Sequence, residues 1–182
     1  MIRLESFDDR DFPRLMSWID SREMLLQWAG PRLFTFPLDT MQLTRYLFEA
    51  LTEPQGSRIF KALDEEERVV GHVELGGIDR KNQSATLCRV LVAPEARGRG
   101  LCVPMIRSVL RVGFEELAFR RIDLRVYAFN NPALHCYERA GFVREGLLRQ
   151  AVKAGDQYWD TVLMAILREE WAILSVSAGN AP

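Results

Sequence analysis

A short segment around Gly98 and Gly100 combines the residue types that bind phosphate groups. It reads RGRGLC from Arg97 to Cys102 and directly follows an apolar run that includes Val90–Val92. Glycines let a ligand approach the main chain closely, and arginines supply positive charge. A helix that begins here would also direct free N–H groups and the positive end of its dipole to the same place. The segment therefore predicts a site for a small phosphorylated ligand.

A second segment, NNPALHCYERAGF, lies downstream. Asn130 is followed seven residues later by Tyr137, and Gly141-Phe142 comes shortly after. Taken by itself, Tyr137 is expected to be an amphipathic core residue packed beside its apolar neighbours.

Together the two segments resemble the GNAT superfamily of acetyl-CoA-dependent N-acetyltransferases. The family's loop, Gln/Arg-x-x-Gly-x-Gly/Ala, is matched from Arg97 except at its last place, where Cys102 stands. The later Asn, Tyr and Gly-Phe signature is matched by Asn130, Tyr137 and Gly141-Phe142. The resemblance implies an α/β protein with the GNAT fold: a mixed, mostly antiparallel central sheet, splayed at the cofactor site and flanked by helices.

The resemblance also implies roles for particular residues. Main-chain groups of one strand would pair with the pantetheine arm of acetyl-CoA, and N–H groups of the loop would hold its diphosphate. Tyr137 would protonate the departing thiolate after direct attack by an amine in a ternary complex. The implied cofactor-binding residues are Val90, Leu91, Val92, Arg97, Gly98, Arg99, Gly100, Leu101, Cys102, Val103 and Asn130.

The general base is less well defined by the sequence. An amine with a pKa near that of lysine, about 10.4, must lose a proton before it attacks. Several GNAT enzymes use a glutamate whose matching place here is Thr86. Glu74 is therefore predicted as the base, with His72 as the other candidate on the same strand and His135 as a weaker one. Glu74 and His72 could equally be solvent-facing strand residues.

The stretch after Gly-Phe, with Glu145-Gly146, Tyr158 and Asp160, resembles the RimJ/RimL-like branch of the superfamily. That branch implies a protein N-terminus or a small amine as the acceptor. Asp160 is predicted to be structural, with substrate contact as the second possibility. A non-catalytic acetyl-CoA sensor is the alternative to an enzyme. Loops usually carry specificity, so acceptor contacts are expected from the aromatic residues Trp28, Phe34, Phe36, Tyr158 and Trp159.

Composition sets broader limits. A chain of 182 residues suits one domain spanning residues 1–182, and a net charge of −1 gives no reason to expect nucleic acid or a membrane as partner. The chain has no long apolar run or signal-peptide pattern, which predicts a cytoplasmic protein. Three widely spaced cysteines and two histidines favour buried, reduced thiols and no metal site. A homodimer is possible.

The periodicity of apolar residues predicts alternating strands and helices, with an irregular segment from Leu25 to Leu38. The predicted strands are a first strand at Ile2–Glu5, Ile59–Leu63, Val69–Ile78, Ala85–Ala93, Ile122–Ala128 and a hairpin of Phe142–Val152 with Tyr158–Leu167. The predicted helices cover Phe12–Ile19, a segment after Asp39, Leu101–Phe119 and Pro132–Ala140.

Overall fold

Seven strands form one sheet in the computed structural model, which describes residues 2–52 and 56–179. Their spatial order is β1-β2-β3-β4-β5-β7-β6. All neighbouring pairs are antiparallel except β4 with β5, which are parallel. The strands are β1 (Arg3–Ser6), β2 (Arg58–Leu63), β3 (Val69–Asp79), β4 (Ser84–Val92), β5 (Arg121–Tyr127), β6 (Val143–Ala154) and β7 (Gln157–Leu167).

The helices follow the predicted positions with two additions. They are α1 (Phe12–Trp18), α2 (Arg22–Ala29), α3 (Thr40–Thr52), α4 (Cys102–Arg111), α5 (Asn131–Ala140) and α6 (Arg168–Gly179). The expectation of an irregular segment from Leu25 was wrong at its start, because α2 reaches Ala29. Ser21 caps that helix by accepting a hydrogen bond from the N–H of Met24, at 3.2 Å. Helix α6 had not been predicted.

The parallel pair of β4 and β5 is short. Only Ser84–Thr86 and Arg121–Asp123 are in register, after which the two strands diverge. Beyond this point β4 continues to pair with β3, and β5 continues to pair with β7. Each strand therefore keeps one hydrogen-bonded neighbour while a cleft opens between β4 and β5. This is the splayed sheet that the family resemblance implied.

Helix α4 packs its apolar side into the core. Met105, Ile106, Val109 and Leu110 are fully buried, which matches the three-and-four spacing of apolar residues in this stretch. The chain then continues as a π-helical turn at Val112–Glu116. Among the described residues, no helix combines the length and the apolar character needed to span a membrane.

Candidate functional site

Two cavities open where β4 and β5 diverge. The first, here called the loop cavity, has a volume of about 490 Å³ and is lined by the Arg97–Cys102 segment and Val90–Val92. The second, here called the apex cavity, has a volume of about 570 Å³ and extends to Thr86 and Asp123, where the two strands meet. The residues that line both cavities are Gln27, Trp28, Val90, Asn130, Ala133 and Tyr137.

The glycines of the loop are required by its backbone conformation. Gly98 and Gly100 both have φ of +75°, a left-handed conformation that other residues rarely adopt, and open space surrounds both. Helix α4 begins at Cys102, so the N–H groups of Cys102 and Val103 have no partner within the helix, while Pro104 has no N–H. The loop therefore brings main-chain donors and the positive end of the helix dipole to one cavity.

Most of the predicted cofactor-binding residues line the loop cavity. Arg97 lies at its edge, and its Nε donates to the carbonyl of Val92 at 3.3 Å. Arg99 and Val103 are not among the lining residues, and the Nη2 of Arg99 lies 3.5 Å from Asp64 Oδ2. The lining residues from the prediction are Val90, Leu91, Val92, Arg97, Gly98, Gly100, Leu101, Cys102 and Asn130.

The expectation that all three cysteines are reduced was wrong for two of them. Cys102 and Cys136 form a disulfide, with their Cα atoms 6.3 Å apart, and Cys88 is free. The two residues are 34 positions apart in the chain, so their spacing gave no sign of a pair. They meet because α4 packs against α5. The bond joins the first residue of α4 to the helix that carries Tyr137.

We expect this disulfide to be visible as a thiol count. Protein purified without reductant and then unfolded should give one reactive thiol, from Cys88, and three after reduction. Titration with a chromogenic disulfide reagent measures both numbers, and the Cys88→Ser variant should give none before reduction. Three thiols in the unreduced protein would contradict the pairing.

Helix α5 explains the Asn, Tyr and Gly-Phe spacing. Asn130 caps the helix by accepting from the N–H of Ala133 at 3.2 Å, and Tyr137 follows two turns later. Gly141 ends the helix with φ of +114°, a conformation that favours glycine. Tyr137 is buried at the junction of the two cavities. Burial, and then the nearby Cys88, raise the pKa of its hydroxyl, so Tyr137 keeps its proton at neutral pH.

Glu74 lies on β3 and lines neither of the two cavities. Both of its oxygens bind Arg89, at 2.5 Å to Nε and 2.7 Å to Nη2, and the Tyr46 hydroxyl also donates to it. Burial disfavours its charge, but the hydrogen bonds and positive charge of Arg89 outweigh this and hold its pKa below the ordinary value. A carboxylate so fully paired is a poor proton acceptor, so the geometry gives no support to Glu74 as the base.

Arg89 is the point at which β4 bends. Its φ of +51° is in the left-handed region, and the β3–β4 register shifts between His72 and Glu74. The carbonyl of Arg89 accepts from Trp28 Nε1 at 2.9 Å and lies 2.9 Å from His72 Nδ1. This bend and register shift form a β-bulge, which the sequence analysis missed. Arginine is not a residue type that indicates a left-handed backbone. Trp28 and His72 therefore hold the bend beside both cavities.

Burial lowers the pKa of His72 to about 4. Because the unfolded chain takes up this proton near pH 6.5, wild-type stability should fall as pH drops from 6.5 to 4. His72→Asn, which can keep a donor near Nδ1, should lose up to about 3 kcal/mol less over this whole range, of which about 2 kcal/mol falls between pH 7 and pH 5. Urea unfolding at pH 7 and pH 5 measures the difference.

The matched control is His135→Asn, which changes an exposed side chain and should show the pH dependence of the wild type. Equal pH dependence in all three proteins would contradict the prediction.

The remaining predicted contacts have mixed outcomes. Asp160 Oδ1 accepts from the N–H of Gln150 at 2.7 Å, which supports its structural interpretation. Trp28 lines both cavities, and Phe34 stacks on it with ring centroids 5.4 Å apart. Trp159 packs on Tyr127 and lines neither cavity. The other predicted residues that line neither cavity are Phe36, Tyr158 and the exposed His135.

The apex cavity contains polar residues that sequence analysis missed. Asp123 and Arg125 alternate along β5 and both line it, and so does Thr161, whose buried hydroxyl has no hydrogen-bond partner in the described part of the chain. The period of two along β5 could have shown that these side chains share a face. It could not show that this face lines a cavity. In residues 2–52 and 56–179, no group of three or more potential metal ligands occurs.

Comparisons with known proteins agree on one family. Residues 22–142 match the model of the acetyltransferase (GNAT) family. The SPbeta prophage-derived uncharacterized N-acetyltransferase YokL of Bacillus subtilis is 32% identical over 138 residues, 76% of each chain. Spermidine N(1)-acetyltransferase of Vibrio cholerae is 26% identical over 170 residues, 93% of this chain and 95% of the relative.

A solved structure supports the same assignment. The crystal structure of spermidine N-acetyltransferase from Vibrio cholerae in complex with CoA and spermine superimposes with a TM-score of 0.82 at 26% identity. The match covers 94% of this chain and 98% of that chain. The fold class predicted from the sequence is thereby confirmed.

Proposed function

Since this chain belongs to the acetyltransferase (GNAT) family and is an N-acetyltransferase, we propose that it transfers the acetyl group of acetyl-CoA to a small primary amine. The amine attacks directly while both substrates are bound. The observation that carries this proposal is the junction of the two cavities at Tyr137, a buried tyrosine that keeps its proton. One cavity suits the acetyl donor, and the other suits the acceptor.

The residues that line the loop cavity suit coenzyme A in their chemistry. Two left-handed glycines and the first turn of α4 direct N–H groups toward a diphosphate, with Arg97 at the edge. Val90–Val92 offer an apolar strand beside which the pantetheine arm would lie. Acetyl-CoA supplies an acyl group activated as a thioester. Tyr137, which lines both cavities, protonates the sulfur that leaves, and Asn130 caps the helix that carries it.

The apex cavity favours a small acceptor over a protein N-terminus. Its volume of about 570 Å³ is that of a small-molecule site, and α2, β4, β5 and β7 all contribute to its walls. A spermidine N(1)-acetyltransferase is among the relatives, which makes polyamines one class to test. A site for a polycation is expected to be lined mainly by carboxylates. Among the described residues, the apex cavity is instead lined by one carboxylate, Asp123, together with Arg89 and Arg125.

A panel of amines tests the function. The panel contains spermidine, lysine, n-butylamine and a peptide with a free N-terminal alanine, each mixed with protein and acetyl-CoA. Release of the free thiol of coenzyme A is followed, and the acetylated amine is identified by mass spectrometry. We expect amine-dependent release with at least one small amine and slower release with the peptide. Binding of acetyl-CoA without amine-dependent release would instead support a sensor module.

We propose that residues 1–182 form one domain and that the protein needs no metal. The RimJ/RimL-like branch, the cytoplasmic location, the possible homodimer and the lack of nucleic-acid or membrane partners also stay predictions.

A further inference from the structure

The carboxylate that the family places on β4 has a spatial counterpart on β5. Thr86 stands at the family's glutamate position, and its Oγ1 donates to Asp123 Oδ1 at 2.9 Å. These two residues face each other in the last register pair before β4 and β5 diverge. The Asp123 carboxylate therefore lies at the apex of the cleft, beside the place where a carboxylate on Thr86 would lie.

Asp123 keeps capacity to accept a further hydrogen bond. Its Oδ2 forms an ion pair with Arg121, whose Nε lies 3.6 Å away, which is longer than a hydrogen bond. Arg121 instead gives both terminal nitrogens to Glu145, at 2.7 and 2.6 Å. The side chain of Asp123 is 30% exposed and can be reached from the cavity. Glu74 differs from Asp123 in exposure and in free hydrogen-bonding capacity, because it is buried and both of its oxygens are bound.

Asp123 is also the single carboxylate among the described residues that line the apex cavity. An ammonium group that enters the cavity therefore has one charge partner there. The other charged or titratable groups that line it are Cys88 and Arg89 from β4, Arg125 and Tyr127 from β5, and Tyr137 from α5.

We propose that Asp123, positioned by Thr86, binds the ammonium group of the acceptor and takes its proton, and this inference rests on the proposed acetyl transfer. The neutral nitrogen then forms a bond to the acetyl carbonyl carbon, and the carbon–sulfur bond breaks. The nitrogen loses its second proton as the amide forms, and Tyr137 relays a proton to the sulfur. Asp123 returns the first proton to solvent. The products are the N-acetyl amine, coenzyme A and one proton.

The Asp123→Asn variant tests the role of the carboxylate with the best amine of the panel. We expect kcat to fall about 100-fold, because an amide cannot take the proton. The residual rate should rise steeply with pH toward about 10, where the free amine forms without a base. Calorimetry should show unchanged affinity for coenzyme A and about tenfold weaker binding of the amine to the protein–coenzyme A complex. Glu169→Gln removes an exposed carboxylate outside the cavity, paired with Arg120, and should behave as wild type.

A relocated carboxylate separates catalysis from structure. The Asp123→Ala/Thr86→Glu double variant places the carboxylate on β4, and we expect it to be at least tenfold faster than Asp123→Ala alone. Wild-type kcat and pH profile in Asp123→Asn would overturn the inference, and so would a folded double variant that binds coenzyme A without any gain. In both cases acetyl transfer by the wild type would still stand. A wild-type protein that acetylates no amine would refute the proposed function itself.

Discussion

We expect Tyr137→Phe to lower kcat about 1,000-fold and to leave the affinity for acetyl-CoA unchanged. The substitution removes one oxygen from a ring that stays buried against Phe142, so the packing of α5 is kept. Without the hydroxyl, the sulfur leaves as an unprotonated thiolate, and loss of a positioned general acid costs about 100- to 10,000-fold. Stopped assays of thiol release give kcat, and calorimetry with coenzyme A gives the affinity.

Tyr127→Phe is the matched control for this experiment. Tyr127 also lines the apex cavity, but it does not line the loop cavity, and its hydroxyl already donates to the carbonyl of Leu26 at 3.0 Å. We expect a change in kcat of less than fivefold in this variant. If Tyr137→Phe and Tyr127→Phe lose activity equally, or if neither does, Tyr137 is not the acid, and the Asn and Tyr spacing reflects only the capping of α5.

We expect Glu74→Gln to lower the free energy of unfolding by about 3 kcal/mol, since it leaves the Arg89 guanidinium largely buried without its counter-charge. A buried ion pair that loses one partner is costly even when the shape of the side chain is preserved. The sign of the pH effect also follows from the lowered pKa of Glu74. Its contribution is present above the ordinary pKa of 4.5 and is lost as the pH falls through the lower folded value.

Urea unfolding at pH 7 measures the loss, and repeating it near pH 4 should show a smaller gap between variant and wild type. Glu49→Gln is the control, because Glu49 is half exposed and its nearest cation, Arg45, lies 3.8 Å away. A Glu74→Gln protein with wild-type stability and a 100-fold lower kcat would restore Glu74 as the base and would contradict the ion-pair interpretation.

The elements of this fold could be predicted because their signals are local. The strands β2, β3 and β4 and helix α5 lie within a few residues of the predicted bounds, since alternation and capping residues are readable in short windows. Helix α2 was missed, because the aromatic and proline-containing stretch from Leu25 to Leu38 indicated an irregular segment and the Ser21 cap was not recognised. The loop at Gly98 and Gly100 could also be predicted from its own residues, because glycine tolerates a left-handed backbone.

The amino-acid sequence by itself determined the strand–loop–helix segment at Gly98 and Gly100, the Tyr137 position two turns into α5, and through them the family. Only the tertiary structure decided which distant residues meet: Cys102 with Cys136, Glu74 with Arg89, and Thr86 with Asp123. The physical reason is range. Backbone conformation and capping depend on neighbours along the chain, whereas pairing of side chains depends on strand register and helix packing, which the whole core sets at once.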